Sequence, residues 1–224
     1  FQENLVLSNF ASSGTATATI KLEYTNGTVQ TISNVAVAAQ SELIFDVNNA
    51  NKHPNCGSNG NPACTVSNSV SIEVTSSAPI VAERIQYFHF SLNGSMHPGM
   101  DDVVGQAGPA KQDTYTFAEG SAGQNFNDWL TLQNPNGFAV TAIITIFADS
   151  TIIPESMTLP AHSRTSVLIN SIVDPIIQAH PTSAGYTVSM DIQSFGGPVV
   201  AERPLYFVFS GTTGASDIIG YAGN

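Results

Sequence analysis

Apolar and polar side chains alternate along most of this chain, and the alternation predicts strands. Ala18, Ile20, Leu22 and Tyr24 alternate with Thr17, Thr19, Lys21 and Glu23, the period-2 pattern of a strand with one buried face. Asn26-Gly27 follows and predicts a type I′ hairpin turn, with Val35 and Val37 returning on the partner strand. Leu43, Phe45 and Val47 form the next inward row, with Glu42, Asp46 and Asn48 facing out, and Val70, Ile72 and Val74 form another. Further on, Leu130 and Leu132 alternate with Trp129, Thr131 and Gln133. Val140, Ala142, Ile144 and Ile146 follow, then Thr165, Val167 and Ile169, then Val188, Met190 and Ile192. Only residues 172–178, beyond a cap at Asn170 or Ser171, read as a turn or two of helix, interrupted by Pro175. Short strands separated by turn signals predict an all-β, antiparallel sandwich of immunoglobulin-like type.

One stretch occurs twice. Residues 79–90 read PIVAERIQYFHF and residues 198–209 read PVVAERPLYFVF. Other blocks recur around it in the same order. Phe1, Leu5, Leu7 and Asn9 match Phe126, Leu130, Leu132 and Asn134. Ala39 and Ser41 match Ala161 and Ser163, and Asp102-Val103-Val104-Gly105 matches Asp217-Ile218-Ile219-Gly220. A long fixed period of this kind is the mark of repeated units. The expected organisation is two tandem homologous β-sandwich domains, residues 1–110 and 111–224. Residues 113–120 (DTYTFAEG) open the second domain, and nothing before Phe1 matches them. The first domain is therefore expected to lack its opening strand. Two readings of that stay open: the chain is cut from, or matures within, a longer array, or another molecule supplies the strand.

Composition narrows the class of role. Six Lys and Arg against 17 Asp and Glu give a net charge of −11, although charged residues are only 10% of the chain. Such a surface repels nucleic-acid phosphates and anionic membranes, so neither is an expected partner. No apolar run reaches the roughly 18 residues a membrane helix needs. Many Thr, Ser, Asn, Val and Ile with little charge read as a secreted β-protein. Cys56 and Cys64 sit in a loop rich in Asn, Gly and Pro. A local disulfide is the expectation there, and it implies an oxidising compartment. Two thiols with His53 make a poor zinc set.

Candidate chemistry centres on the repeated Glu-Arg. Neighbours on a strand point to opposite faces, so one residue of Glu83-Arg84 and one of Glu202-Arg203 must lean toward apolar surroundings and find a partner. Structural ion pairs are the expectation, with Glu119 as a candidate partner for Arg203. A hydrolytic role for Glu83 or Glu202 needs a second carboxylate and a cleft, which no motif places. Asp102 and Asp217 recur and are candidate calcium ligands, with solvated loop residues as the competing reading. Trp129 is the one tryptophan. On the polar face it is a candidate contact for a sugar or protein, or else it packs at the domain junction. No nucleophile elbow, P-loop, dinucleotide fingerprint or HExxH occurs, and no cofactor is expected.

The run Phe117-Ala118-Glu119-Gly120, Phe126, Asp128-Trp129-Leu130, Asn134-Pro135-Asn136, Pro160, Ser163-Arg164 and Val200 to Phe207 resembles tandem β-domains of secreted and cell-surface proteins of Actinobacteria and Chloroflexi. The first half departs from it, with Asn9-Phe10-Ala11 at the turn and Ser41-Glu42 at the Ser-Arg pair. The resemblance implies location and architecture, and no activity. The resulting expectation is a non-enzymatic extracellular structural or adhesive module, partnered by further copies or repeats of itself. A carbohydrate-binding module that contacts a surface glycan is the alternative, and a glycoside hydrolase is a third.

Overall fold

The computed structural model describes residues 2–48, 69–92, 94–107, 113–123, 125–179 and 185–222. Cys56, Cys64 and the expected boundary at residue 110 lie outside them. The described chain is all β apart from one helix. Its first strands are β1 (Gln2–Asn9), β2 (Ala16–Tyr24), β3 (Val29–Val37), β4 (Ser41–Asp46), β5 (Val70–Ser76), β6 (Val81–Leu92) and β7 (Ser95–Val104). Then come β8 (Thr114–Phe117), β9 (Ser121–Ala122), β10 (Phe126–Asn134), β11 (Val140–Ala148), β12 (Thr151–Leu159) and β13 (Ser163–Leu168). Helix α1 (Ile169–Ala179) precedes β14 (Tyr186–Phe195), β15 (Val200–Phe209), β16 (Thr212–Ile219) and β17 (Tyr221–Ala222).

The strands form antiparallel sheets stacked face to face. In the first half, sheet β4-β1-β6-β7 covers sheet β3-β2-β5. In the second, β13-β10-β15-β16 covers β12-β11-β14-β8-β17, with β9 also on β14. The inward rows read from the sequence make the cores. Leu5 and Leu7 meet Ala18, Ile20 and Leu22 in one, while Leu130, Leu132 and Ala201 meet Ala142, Ile144 and Ile146 in the other. The sandwich follows from burying one face of each sheet against another.

The two halves use the same register. Val6 stands opposite Glu83 and Leu7 opposite Ala82, just as Thr131 stands opposite Glu202 and Leu132 opposite Ala201. The side-chain bonds that hold the loops repeat as well. Asn9 Nδ2 donates to Val37 O at 3.0 Å and Asn134 Nδ2 to Leu159 O at 3.1 Å. Ser41 Oγ donates to Ala38 O and Ser163 Oγ to Pro160 O, both at 2.7 Å. Each buried amide satisfies main-chain groups that a tight loop cannot pair for itself.

Three expectations change. The β2–β3 turn is not the two-residue type I′. Tyr24 N donates to Thr28 O at 2.9 Å across Thr25-Asn26-Gly27, and Gly27 alone has positive φ, at 78°. This is a three-residue loop closed by a left-handed glycine, and Asn26 Oδ1 accepts the Thr28 amide instead. Helix α1 is longer than expected and contains Pro175. Ile169 and Val173 enter the core, with Ile172 packed against it. Burial of that i, i+3, i+4 stripe outweighs the lost helical bond of an exposed proline. The third concerns Glu23. Alternation placed it outward with Lys21, yet it is fully buried, because the second half lies over it.

The sheet surroundings of β14 and β5 differ. β14 is flanked by β11, β8 and β9, whereas among the described residues β5 pairs only with β2. Tyr115 and Phe117 of β8 are buried in the second core.

Candidate functional site

The repeated Glu-Arg stretch puts both arginines on the buried side of their strands. Arg84 is 8% exposed and Arg203 2%. They are held in different ways, and the buried Nε of Arg84 has no hydrogen-bond partner among the described residues.

Arg203 is held within its own half. Its Nε donates to Asp128 Oδ1 at 2.9 Å, and its Nη2 donates to Asp128 Oδ2 in a bidentate pair. Nη1 reaches the Glu119 carbonyl at 2.6 Å, and Nη2 also reaches the Val188 carbonyl at 2.9 Å. The expected role of Glu119 is thus corrected. Its side chain is exposed, and only its main chain binds the arginine. The reason lies next door: a Cβ on Gly120 would collide with the guanidinium, so the chain approaches backbone-first. Asp128 is the carboxylate partner, and the sequence reading passed over it. Burial pushes the Asp128 pKa above the usual range, against the pull of Arg203.

Arg84 reaches into the other half. Its Nη2 donates to Glu202 Oε2 at 3.0 Å and to Asp217 Oδ2 at 2.5 Å. Glu83 takes no part in this; its carboxyl hydrogen-bonds Asp102, which raises its pKa. Glu202, likewise, pairs with Arg84 and not with its neighbour Arg203. The position equivalent to Asp128 in the first half is Glu3, which accepts from Gln86 Nε2 at 2.9 Å. Both carboxylate residues are anchored alike: Glu3 N donates to Asn48 Oδ1 at 2.5 Å, and Asp128 N to Asn170 Oδ1 at 2.8 Å. The exchange of Asp128 for Glu3, and of Leu205 for Gln86, leaves Arg84 to cross the junction.

Electrostatics around Arg84 are strongly coupled. Burial raises Asp217 to about 7, and the Glu202 charge adds to this while Arg84 opposes it. Burial alone would lower Arg84, but Glu202, Glu3 and Asp217 outweigh it and raise its pKa. Arg164, with Nη2 3.3 Å from Thr131 Oγ1, is lowered by burial and by Arg84. Burial pushes Tyr206 up to about 12. Burial first, and then the Glu202 charge, thus place the titration of Asp217 near neutral pH.

Aromatic packing completes the junction. Phe88, Phe90 and Leu92 of β6 pack on Tyr206, Val208 and Ala215. Tyr206 meets Phe88 edge-on at 5.0 Å and Phe90 at 5.3 Å. Beside them, Gln133 Nε2 donates to Glu23 Oε2 at 2.8 Å, and His162 Nδ1 lies 3.2 Å from Glu23 Oε1. Trp129 is half-buried and stands opposite Leu168 in the β10–β13 pair.

The calcium candidates are not brought together as a site. Asp217 is engaged by Arg84 and Asp102 by Glu83. Among the described residues no three His, Cys, Asp or Glu side chains converge as a metal set, and no helix is long and apolar enough to cross a membrane.

No family model and no curated protein matches the chain. Several solved structures are similar to part of it, two of them as follows. One is the crystal structure of Thermotoga maritima 1070, 14% identical, with a TM-score of 0.40, covering 50% of this chain and 95% of that one. The other is the Anabaena sensory rhodopsin transducer, 24% identical, with a TM-score of 0.33, covering 41% of this chain and 86% of that one. Likeness at that level carries no functional argument.

Proposed function

We propose that the chain is a non-enzymatic extracellular structural module: two tandem homologous β-sandwich units locked into one spacer or assembly element of a cell-surface protein. The observation that carries this reading is the Arg84–Glu202–Asp217 cluster. The most conspicuous ionisable residues of the repeat join one half to the other instead of facing a substrate. A retaining or inverting hydrolase needs two carboxyl groups flanking a cleft, and Glu202 and Asp217 instead converge on one guanidinium. The composition and the resemblance to secreted tandem β-domains support the extracellular placement.

Arg84→Ala tests the lock. Removing the cation leaves Glu202 and Asp217 facing each other, poorly solvated, at a cost of about 3–5 kcal/mol for a buried pair. In differential scanning calorimetry the wild type is expected to melt in one transition. The variant should melt earlier, with the halves separating into two transitions. Unchanged melting with loss of a measured binding activity would make Arg84 part of a site and overturn the reading. A glycan array run on the wild type addresses the carbohydrate-binding alternative: a hit abolished by Trp129→Ala would favour it.

A further inference from the structure

Each long hairpin, β6–β7 and β15–β16, has two faces, because residues alternate along its strands. The junction uses one face of each. The first hairpin contributes Arg84, Phe88, Phe90 and Leu92. The second contributes the opposite kind of face, with Glu202, Tyr206, Val208, Ala215 and Asp217. By register, each hairpin also carries the kind of face that its partner uses.

On the first hairpin, Glu83 faces Val104, Tyr87 faces Met100 and Ile85 faces Asp102. On the second, Glu202 faces Ile219, Tyr206 faces Ala215 and Pro204 faces Asp217. Glu83, Tyr87 and Asp102 thus repeat Glu202, Tyr206 and Asp217, and here they are open: Tyr87 is 43% and Met100 58% exposed. On the second hairpin, Phe207 and Phe209 repeat Phe88 and Phe90. A shared device fixes the first ring of each pair. Gly99 lies under Phe88 and Gly214 under Phe207, each so close that a Cβ would collide with the ring. Phe209, opposite Thr212 near the hairpin tip, is 60% exposed. Each hairpin thus has an exposed face of the kind its partner uses, and on the second Phe126 lies beside Phe207 and Phe209 at ring-centroid distances of 6.0 and 6.4 Å.

We propose that the Tyr87–Met100 face of hairpin β6–β7 docks the Phe207–Phe209 face of hairpin β15–β16 from a second copy, repeating the internal junction between molecules. The contact joins unlike faces, so it is heterologous and leaves a free face at each end; association is therefore open and head-to-tail. This deepens the assembly reading above. The intermolecular contact is weaker than the internal one for a specific reason. Arg203 is retained by Asp128, so no guanidinium meets Glu83 and Asp102, and aromatic and aliphatic burial carries the contact.

Sedimentation velocity over a concentration series tests it, with Met100→Glu and Phe209→Glu, both at exposed positions, checked for folding by circular dichroism. The wild type should sediment progressively faster with concentration. Each variant alone should stay monomeric, and an equimolar mixture should give dimers and nothing larger, because one intact pair of faces remains. A wild type that stays monomeric throughout overturns the proposal, as does a variant that associates like wild type or a mixture that stays monomeric. Glu83→Gln should preserve or strengthen association. A loss there would show that the Glu83 charge carries the contact and would overturn aromatic and aliphatic burial as its basis. None of these results bears on the calorimetric test of the internal lock, which is intramolecular.

Discussion

Arg203→Ala should destabilise the second half severely, and the structure says why. The Arg203 and Asp128 side chains are 1% and 0% exposed. Truncation leaves a carboxylate with no counter-charge in a dry site, a change that costs about 3–5 kcal/mol when one member of a buried pair is removed. The Glu119 and Val188 carbonyls lose their donors as well; a buried unsatisfied acceptor costs about 1–3 kcal/mol. Asp128 limits the loss by taking up a proton, a shift that burial already favours. A net of roughly 4 kcal/mol is expected. For a chain of this size that lowers the melting temperature by about 8–16 °C. The control is the double variant Arg203→Met with Asp128→Leu. Removing both charges together removes the orphan, so it should recover most of the loss, and the cycle should show strong coupling. Thermal unfolding by circular dichroism, with chemical denaturation alongside, provides the numbers. If Arg203→Ala melts within a degree or so of wild type, or if the double variant melts no higher than the single one, the account of a desolvated pair is wrong.

Two further outcomes follow from the same cluster and its neighbour. The folded-state pKa of Asp217 lies at about 7 against 3.8 for the free residue. Its protonated form is therefore favoured by folding: its contribution is full below about 4 and is lost as pH rises through about 7. Wild-type stability should fall across that window and Asp217→Asn should flatten the fall, read from denaturant midpoints at several pH values; an identical slope in the variant would refute this. Gly120→Ala should displace the Arg203 guanidinium and cost about 1–3 kcal/mol. The effect should shrink in an Arg203→Ala background, and equal effects in both backgrounds would refute the contact.

The strands were legible because one face of each is buried, and burial writes a period of two into the sequence. Ile20 and Leu22, or Ile144 and Ile146, needed nothing else. The inward lean of one residue in each Glu-Arg followed from the same geometry. The partners did not follow. Arg84 meets Glu202 and Asp217, which are remote in sequence, and no local pattern encodes a contact between two sheets. Glu3 and Asp128 sit at equivalent positions but differ by a methylene, so a search for identities passes over them. The match of Asn48 with Asn170 was available as an identity, but it stands alone between blocks that differ. Glu23 misled the reading because its outward face is buried by the other half and not by its own. Pro175 signalled a helix stop, and the Ile169–Val173 stripe overrode it.

The Arg84–Glu202 bond spans 118 residues of chain, and that separation has a consequence in time. Phe88, Phe90, Leu92 and Arg84 leave the ribosome well before the surface that covers them has been made. At about 5–20 residues per second, translation takes roughly 6–24 s to reach Glu202. Throughout that interval the first half carries an apolar hairpin and an Arg84 whose Glu202 and Asp217 partners have not yet been made. Any factor that shields nascent apolar surface would act on the first hairpin of this chain. A ribosome stall between Leu92 and Tyr206 would leave that hairpin uncovered for longer.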